Sequence, residues 1–388
     1  MNFTYSIPPK IFFGPGSLNE LGKISLPGLK ALVVISAGTS MKKNGYLDRV
    51  LQLLQANDSE YVLFDKILPN PIHRHVMEGA ALARKEQCDY VLALGGGSSI
   101  DSAKSIAVMA KNPGDYWDYI GGGTGKALPV PNGALPIIAI TTTAGTGTEA
   151  DPWTVITHEE RHEKIGFGIP ETFPCISIVD PELMTTVPPL LTAYQGFDAF
   201  FHAAEGFIAT VANPISDLYA LKSISLLNKY LHVAVTNGAD IEARTNVALA
   251  NTLSGMVEST SSCTSEHSME HALSALHPSL PHGAGLIMLS QSYFSFFADK
   301  VPERFIQMAE AMGKMEHTKS AHSFIKALHE MQQRCNVADL KMSAYGIRKE
   351  EIPALAKNAH DTMGGLFTVD RYKLSPADTI AIMEKAYK

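Results

Sequence analysis

Short apolar runs alternate with longer amphipathic segments through the first half of the chain. The runs are rich in Val, Ile and Leu and are flanked by Gly, Pro or polar residues, which is typical of buried strands. They lie at residues 31–36, 61–65, 90–95, 136–140 and 175–180. Segments with helical spacing lie between them, at 45–57, 73–88 and 98–112. This alternation predicts a parallel sheet covered by helices, and residues 154–169 are predicted to add a hairpin with a charged turn.

The pattern changes near residues 181–189. Beyond Pro188 no strand is predicted, and long segments with helical apolar periodicity follow. The clearest of these segments lie at 189–212, 213–235 and 241–260. A chain of 388 residues is also too long for one small core. We therefore expect an α/β domain over residues 1–184 and an all-helical domain over residues 185–388.

Charge and composition narrow the class of protein. The net charge is -7 and no dense Lys/Arg tract occurs, which argues against a nucleic-acid-binding surface. No apolar run reaches the roughly 18–20 residues that span a bilayer, and the first residues lack the features of a signal peptide. The four cysteines, at 88, 175, 263 and 335, are far apart and form no CxxC pair. We expect them to be reduced, buried thiols in a cytoplasmic protein that has no membrane partner.

A glycine-rich loop follows the predicted strand at 90–95. Gly96 and Gly97 remove side chains where a ligand would approach the backbone, and Ser98 starts a predicted helix with Asp101 in its first turn. Free N–H groups at a helix N-terminus suit a pyrophosphate, so all four residues are candidates for cofactor binding. The spacing is not GxGxxG, and a tight turn without a ligand is the alternative.

A second polar loop, at residues 141–151, follows the predicted strand at 136–140. It contains five threonines and two glycines, whose hydroxyl and backbone groups suit an anion or a ribose. Taken alone, it is better explained as a threonine-rich turn. Two such loops at the carboxyl ends of predicted parallel strands fit the place where open α/β sheets bind ligands, so nucleotide binding is favoured.

Five residues of the second half are candidate metal ligands. Asp198 and His202 are four residues apart, as are His267 and His271, and His282 follows. Side chains four apart share one face of a helix, so each pair can point at one position. A carboxylate with neutral imidazoles is a ligand set for ferrous iron or zinc. A satisfied core histidine or a buried helix cap is the alternative for each residue alone, and a proton-transfer role suits His271 better than a fifth ligand position.

Together these segments resemble the iron-containing (group III) alcohol dehydrogenases. They are PKIFFGPGSLNELG, GGGSSIDSAK, TTTAGTGTEA, SIVDPEL, GFDAFFHAAEG and EHSMEHALSALHPSLPHGAG, so the resemblance covers nearly the whole chain. It implies a Rossmann-like dinucleotide-binding domain followed by a helical metal-binding domain. It also implies a homodimer or larger homo-oligomer, in which an N-terminal strand within residues 3–14 is expected to pair across subunits.

The resemblance also assigns roles to residues. It implies that Asp198, His202, His267 and His282 hold the metal and that His271, the candidate catalytic residue, stands beside the nicotinamide. The cofactor contacts that it implies are Gly96, Gly97, Ser98, Thr142, Thr143, Thr146, Lys164 and Leu183. The implied cofactors are NAD(P)(H) and a divalent metal, with Fe(II) favoured over Zn(II).

Two features depart from the usual family pattern. The segment between His271 and His282 is one residue longer, which makes His277 a candidate for the substrate pocket, together with Trp153. The other departure concerns the loop after the strand at 31–36, where Gly38 and Ser40 are candidate cofactor contacts. No carboxylate is expected there to reject a 2′-phosphate, and Lys42 and Lys43 follow, so the sequence slightly favours NADP(H) or the use of both cofactors.

The sequence thus predicts an enzyme that interconverts small alcohols with aldehydes or ketones by hydride transfer. The metal would polarise the substrate oxygen, and the nicotinamide would carry the hydride. A lyase of the dehydroquinate synthase type, on the same fold, is one alternative, although it would need a cluster of basic residues for its phosphorylated substrate. A reductase of small hydroxy or oxo acids and a nucleotide-binding protein without turnover are the others.

Overall fold

A parallel sheet organises the first half of the chain, in a computed structural model that describes residues 2–314 and 320–388. The strands are β1 (Lys10–Phe13), β2 (Lys30–Ser36), β3 (Glu60–Ile67), β4 (Tyr90–Gly95), β5 (Ile137–Thr141), β6 (Thr154–His158), β7 (Glu163–Phe167) and β8 (Ile176–Val179). Six of them form the sheet in the order β1-β8-β5-β4-β2-β3. Strands β6 and β7 form the predicted antiparallel hairpin.

The central strands are apolar because both of their faces are covered. Every residue of β4 and β5 is buried, and helices connect the strands of this region. These helices are α1 (Ser40–Lys43), α2 (Tyr46–Ala56), α3 (His73–Lys85) and α4 (Gly97–Lys111). The prediction of a helix-covered parallel sheet is therefore confirmed, with strand bounds that shift by a few residues.

The N-terminal strand pairs with another strand of the same chain. Strand β1 pairs in parallel with β8, in a register that joins Lys10 to Ile176 and Phe13 to Val179. Strand β1 is the last strand of the sheet and pairs with β8 along one edge only, so pairing of its other edge across subunits stays a prediction. Hydrophobic periodicity identifies such a strand but does not identify its partner.

Beyond residue 186, all of the regular secondary structure among the described residues is helical. Its helices are α5 (Pro189–Ile208), α6 (Pro214–Thr236), α7 (Ile241–Thr260), α8 (Ser265–Leu276), α9 (His282–Ala298), α10 (Pro302–Ala311), α11 (His322–Arg334), α12 (Ile352–Thr368) and α13 (Pro376–Ala386). Apolar faces of these helices meet around buried aromatic rings, among them Phe200, Phe201, Phe294 and Phe324. None of the described helices is long and apolar enough to cross a membrane.

The chain divides into two compact units. The sheet unit consists of residues 7–143 and 148–185. The helical unit consists of residues 186–388 together with two short segments, 1–6 and 144–147. The glycine-rich loop therefore belongs to the sheet unit, and the candidate metal ligands belong to the helical unit.

Candidate active site

Three helices of the helical unit bring the candidate metal ligands together. Helix α5 carries Asp198 and His202 one turn apart, α8 carries His267, and α9 begins at His282. The Nε2 atoms of His202 and His267 each lie 3.6 Å from Asp198 Oδ1, and His282 Nε2 lies 3.3 Å from it. Asp198, His202 and His267 are buried, while His282 is partly exposed.

These distances fit a metal ion. An ion that binds each atom at about 2.1 Å in a tetrahedron places neighbouring ligand atoms about 3.4 Å apart. Asp198 Oδ1 and His267 Nε2 are also buried and accept or donate no hydrogen bond among the described residues. Buried polar atoms without partners are costly, and a bound cation would satisfy both atoms.

Carboxylates contact the Nδ1 atoms of two of the imidazole rings, on the side away from Asp198. His267 Nδ1 contacts Glu205 Oε1, and His282 Nδ1 contacts Glu270 Oε2. His202 Nδ1 lies 3.2 Å from the Gly145 carbonyl oxygen, which accepts a hydrogen bond if this nitrogen is protonated. When Nδ1 is occupied in this way, Nε2 presents its lone pair to a metal.

These carboxylates were not predicted from the sequence, although they follow helical spacing. Glu205 is three residues after His202, and Glu270 is three residues after His267. Glu258 on α7 was also missed, and its Oε1 lies 3.3 Å from His202 Nδ1. It has no spacing relation to a ligand, because it reaches the site from another helix.

Electrostatics favour an anionic Asp198 and a neutral His202. Burial raises the pKa of Asp198, but the nearby imidazoles of His202, His282 and His267 lower it by more, so the pKa lies well below its ordinary value. Burial lowers the pKa of His202 to about 4. A carboxylate and a neutral imidazole are the protonation states that a divalent metal requires.

His267 has the opposite shift. Burial lowers its pKa, but Cys263 and Glu205 raise it by more, and the net pKa lies well above the ordinary value. The surroundings of this ring are therefore negative enough to hold a proton, or a metal cation in its place.

Two further side chains border the cluster. His271 is buried, and one of its ring nitrogens lies within 4.8 Å of ligand-type atoms of Glu270 and His282. Cys263, between α7 and α8, has its sulfur within the same distance of ring nitrogens of His202 and His267. Cys263 was interpreted from the sequence as a small hydrophobic residue, and the structure adds that it stands beside the candidate metal ligands.

The glycine-rich loop of the sheet unit joins β4 to α4. Gly95 has a φ of 156°, and a side chain at Gly96 would collide with Thr143, whose Oγ1 would lie 2.8 Å from the added Cβ. No side chain caps the N-terminus of α4 within the described residues. Its first N–H groups and positive dipole end are therefore suited to a pyrophosphate, as the sequence predicts.

Other predicted cofactor residues lie around this loop. The Thr142 N–H donates to the Gly95 carbonyl oxygen at 2.9 Å, and Ser98 Oγ donates to the Pro69 carbonyl oxygen. Gly97 is the first residue of α4, and Thr143 is the last residue before the short segment that groups with the helical unit. These positions fix the shape of the loop, and their contact with a nucleotide stays a prediction.

Asp101 has an internal role. Its carboxylate accepts hydrogen bonds from Thr148 Oγ1 at 2.8 Å and from the Val155 N–H at 2.9 Å. Burial raises its pKa to about 6, against the opposing charge of Lys104. Asp101 therefore joins α4 to the second polar loop and to β6, and this structural role was not foreseen.

The remaining predicted residues are spread over both units. Lys164, in β7, and Leu183, after β8, are buried, whereas Trp153 is 42% exposed. Thr146 groups with the helical unit. His277 directly follows α8, and its Nε2 lies 3.3 Å from Glu351 Oε2. The substrate roles of Trp153 and His277 stay predictions.

A carboxylate does lie beside the loop after β2. Gly38 is in this loop and Ser40 begins α1, and their contact with a cofactor stays a prediction. However, Lys42 Nζ forms an ion pair with Asp65 Oδ2 at 2.5 Å. The expectation that no carboxylate stands there is wrong, because Asp65 comes from the neighbouring strand β3.

Comparisons with known proteins cover both units. A family model described as iron-containing alcohol dehydrogenase matches residues 8–181, and one described as the C-terminal part of the Fe-containing alcohol dehydrogenase family matches residues 192–387. The chain is 36% identical to alcohol dehydrogenase 4 of Schizosaccharomyces pombe, over 92% of this chain and 82% of the relative. It is 34% identical to 1,3-propanediol dehydrogenase of Klebsiella pneumoniae, over 92% of each chain.

A solved structure of an alcohol dehydrogenase also matches the fold of this chain, and the names of two further relatives bear on the cofactor. An alcohol dehydrogenase from an archaeal halo-thermophile of a Red Sea brine pool superposes with a TM-score of 0.95 at 33% identity, covering 100% of this chain and 99% of that one. Two further relatives have names that include a cofactor. They are an NAD-dependent methanol dehydrogenase of Bacillus methanolicus, 33% identical over 92% of this chain and 93% of the relative, and an NADPH-dependent butanol dehydrogenase of Clostridium saccharobutylicum, 31% identical over 89% and 88%.

Proposed function

Because this chain belongs to the iron-containing alcohol dehydrogenase family, we propose that its histidine cluster holds the catalytic metal. The protein is an oxidoreductase that acts on CH–OH groups and interconverts alcohols with aldehydes or ketones. The proposed ligands are Asp198, His202, His267 and His282. The observation that carries this assignment is the convergence of three imidazole Nε2 atoms on Asp198 Oδ1 at 3.3–3.6 Å. We propose Fe(II) as the metal and Zn(II) as its substitute, since three imidazoles and a carboxylate accept either ion.

The reaction divides between bound groups and side chains. When bound, the metal supplies a Lewis acid for the substrate oxygen, and the nicotinamide accepts or returns the hydride. Asp198 contributes the anionic ligand, and Glu205 and Glu270 orient His267 and His282 through their Nδ1 atoms.

We assign proton transfer to His271. It lies on α8 one turn after His267, and its ring centroid lies 5.4 Å from that of His282. An imidazole at this distance from a ligand can exchange a proton with a substrate oxygen without binding the metal itself.

The cofactor is a nicotinamide dinucleotide, which we propose to bind at the α4 N-terminus. Gly96, Gly97 and Ser98 would receive the pyrophosphate, since the first turn of α4 has no side-chain cap in the described residues. Relatives include NAD-dependent and NADPH-dependent enzymes. We propose that this chain uses both cofactors, with a slight preference for NADP(H).

The substrates that we propose are small alcohols and aldehydes, and the assembly is a homodimer or larger homo-oligomer. We also propose a cytoplasmic location, in keeping with four cysteines that form no disulfide. Sedimentation of the purified protein tests the assembly, and a mass close to the 41.9 kDa of one chain would contradict it.

Two ligand variants test the metal site. His267→Ala and His282→Ala should lose bound iron or zinc after reconstitution, measured by elemental analysis, and should lose the absorbance change at the nicotinamide band with butanol or propanediol. Each variant removes one of four ligands, which the remaining three cannot replace. His329→Ala removes an exposed imidazole from α11 and should keep both properties. Full metal content in both ligand variants would contradict the assignment.

A further inference from the structure

An exposed ion pair lies at the end of strands β2 and β3. Lys42 Nζ is 2.5 Å from Asp65 Oδ2, and the side chains are 51% and 41% exposed. The register of the two strands shifts between Val34 and Ser36, which leaves Asp65 opposite the irregular part of β2. The Ala37 N–H donates to the Ile67 carbonyl oxygen at 2.8 Å, so the loop after β2 is fixed against β3 beside this pair.

The position of this pair relates it to the proposed cofactor site. Strand β2 is the parallel neighbour of β4, so the loop after β2 and the glycine-rich loop leave the same edge of the sheet. Ser98 Oγ also donates to the Pro69 carbonyl oxygen, which joins the glycine-rich loop to the segment after β3. In dinucleotide-binding folds, residues in this region contact the adenosine ribose and distinguish a 2′-hydroxyl from a 2′-phosphate.

We propose that the Lys42–Asp65 pair determines how strongly the enzyme discriminates NADP(H) from NAD(H). Lys42 supplies the positive charge that a 2′-phosphate needs, while the Asp65 carboxylate pairs with the Lys42 ammonium group and repels the phosphate. The two effects oppose each other, so neither cofactor is excluded. The inference rests on the proposed function, because it assumes that a dinucleotide binds along this edge of the sheet.

The charges around the pair support this division. Lys42 lowers the pKa of the Asp65 carboxyl by a hydrogen bond, so the carboxyl is ionised at neutral pH. The next residue, Lys66, points to the opposite face of β3 because side chains alternate along a strand, and it pairs with Glu78 on α3 at 2.9 Å. Lys66 is therefore engaged elsewhere, and Lys42 is the lysine that Asp65 restrains.

Binding of NADP⁺ and NAD⁺ to the metal-loaded enzyme, measured by calorimetry without alcohol, tests the proposal. Asp65→Asn should tighten NADP⁺ binding about three- to fivefold, because exposed ion pairs contribute factors of this size, and should leave NAD⁺ binding within a factor of two. Lys42→Met, which keeps the aliphatic chain, should weaken NADP⁺ binding by a similar factor. In the Lys42→Met background, Asp65→Asn should give a smaller gain, since part of its effect acts through the lysine.

Glu78→Gln is the matched control. It removes one carboxylate from the neighbouring pair, whose side chains are 59% and 38% exposed, and should leave the ratio of the two affinities unchanged. Equal changes for NADP⁺ and NAD⁺ in the Lys42 and Asp65 variants would overturn the inference while leaving the proposed function intact. Failure of the unsubstituted enzyme to bind either dinucleotide would overturn both.

Discussion

At the residue scale, the carboxylates behind the histidines decide how well the ligands are held. Glu205 Oε1 contacts His267 Nδ1, and Glu205 Oε2 accepts hydrogen bonds from the Thr264 N–H at 2.8 Å and from Thr264 Oγ1 at 2.9 Å. The carboxylate is fully buried and has these fixed donors, so it orients the ring without freedom to move away. Removing its charge should therefore weaken metal binding without removing a ligand.

Glu205→Gln should reduce the affinity for Fe(II) or Zn(II) by about 10- to 100-fold, because a neutral amide supports a metal-ligating imidazole less well than a carboxylate. Competition with a chromophoric chelator gives the affinity directly. Glu330→Gln, which neutralises an exposed partner of Lys314 elsewhere in the helical unit, serves as the control. An unchanged affinity in Glu205→Gln would show that the carboxylate only packs in the core.

Residue-scale prediction from the sequence worked where spacing along one helix carries the information. Asp198 and His202 are one turn apart, and the structure brings them to one point with two histidines of other helices. Asp65 was missed because it reaches the loop after β2 from another strand. No period along the sequence connects residues whose contact depends on strand register.

At the element scale, helix α4 is held in the sheet unit by a buried lysine. Lys104 Nζ donates to Thr148 Oγ1 at 2.6 Å, to the Trp153 carbonyl oxygen at 2.7 Å, and to the carbonyl and carboxylate oxygens of Asp151 at 2.8 and 3.1 Å. Lys104 and Asp151 are 0% and 1% exposed. The lysine thus joins the helix that begins at the glycine-rich loop to the second polar loop.

Lys104→Met should destabilise the protein by about 3–5 kcal/mol, because it leaves the Asp151 carboxylate buried without its cation. The change in unfolding free energy is measured by urea titration. Lys111→Met lies at the exposed end of the same helix and should change it by less than about 0.5 kcal/mol. Similar stabilities for the two variants would mean that the ion pair does not hold α4 in place.

Strands that are buried along most of their length were predictable because their composition is distinctive. The apolar runs that became β2, β4 and β5 are covered on both faces, and no polar alternation obscures them. Strand β1 is only four residues long and partly exposed, so its composition does not identify β8 as its neighbour. The neighbour of such a strand depends on the order of all the strands in the sheet.

At the scale of the whole molecule, buried carboxyl groups make the stability of the fold depend on pH. Both units contain carboxyl groups of this kind, and burial raises the pKa to about 6 for Asp101 in the sheet unit and to about 7 for Asp370 in the helical unit. Asp370 Oδ1 accepts hydrogen bonds from the Ser265 N–H at 3.3 Å and from the Tyr293 hydroxyl at 3.2 Å. The hydrogen-bond donors lower the pKa of Asp370 and the negative charge of nearby Glu205 raises it, and burial has a larger effect than either.

Asp370→Asn should therefore become more stabilising, relative to the unsubstituted protein, as the pH rises. Because the pKa of about 7 in the folded protein exceeds the ordinary 3.8, the folded protein binds the proton more tightly than the unfolded chain does. The unsubstituted protein therefore loses stability between about pH 4 and pH 7, and its stability changes little above pH 7. The total change across this window should be about 2–4 kcal/mol. Melting temperatures of both proteins across the window measure it. Asp378→Asn is the control, since hydrogen bonds from Ser375 lower the pKa of Asp378 and any stability that this carboxylate contributes is lost only as the pH falls below about 4. A constant difference between Asp370→Asn and the unsubstituted protein from pH 4 to pH 8 would mean that Asp370 keeps an ordinary pKa in the fold.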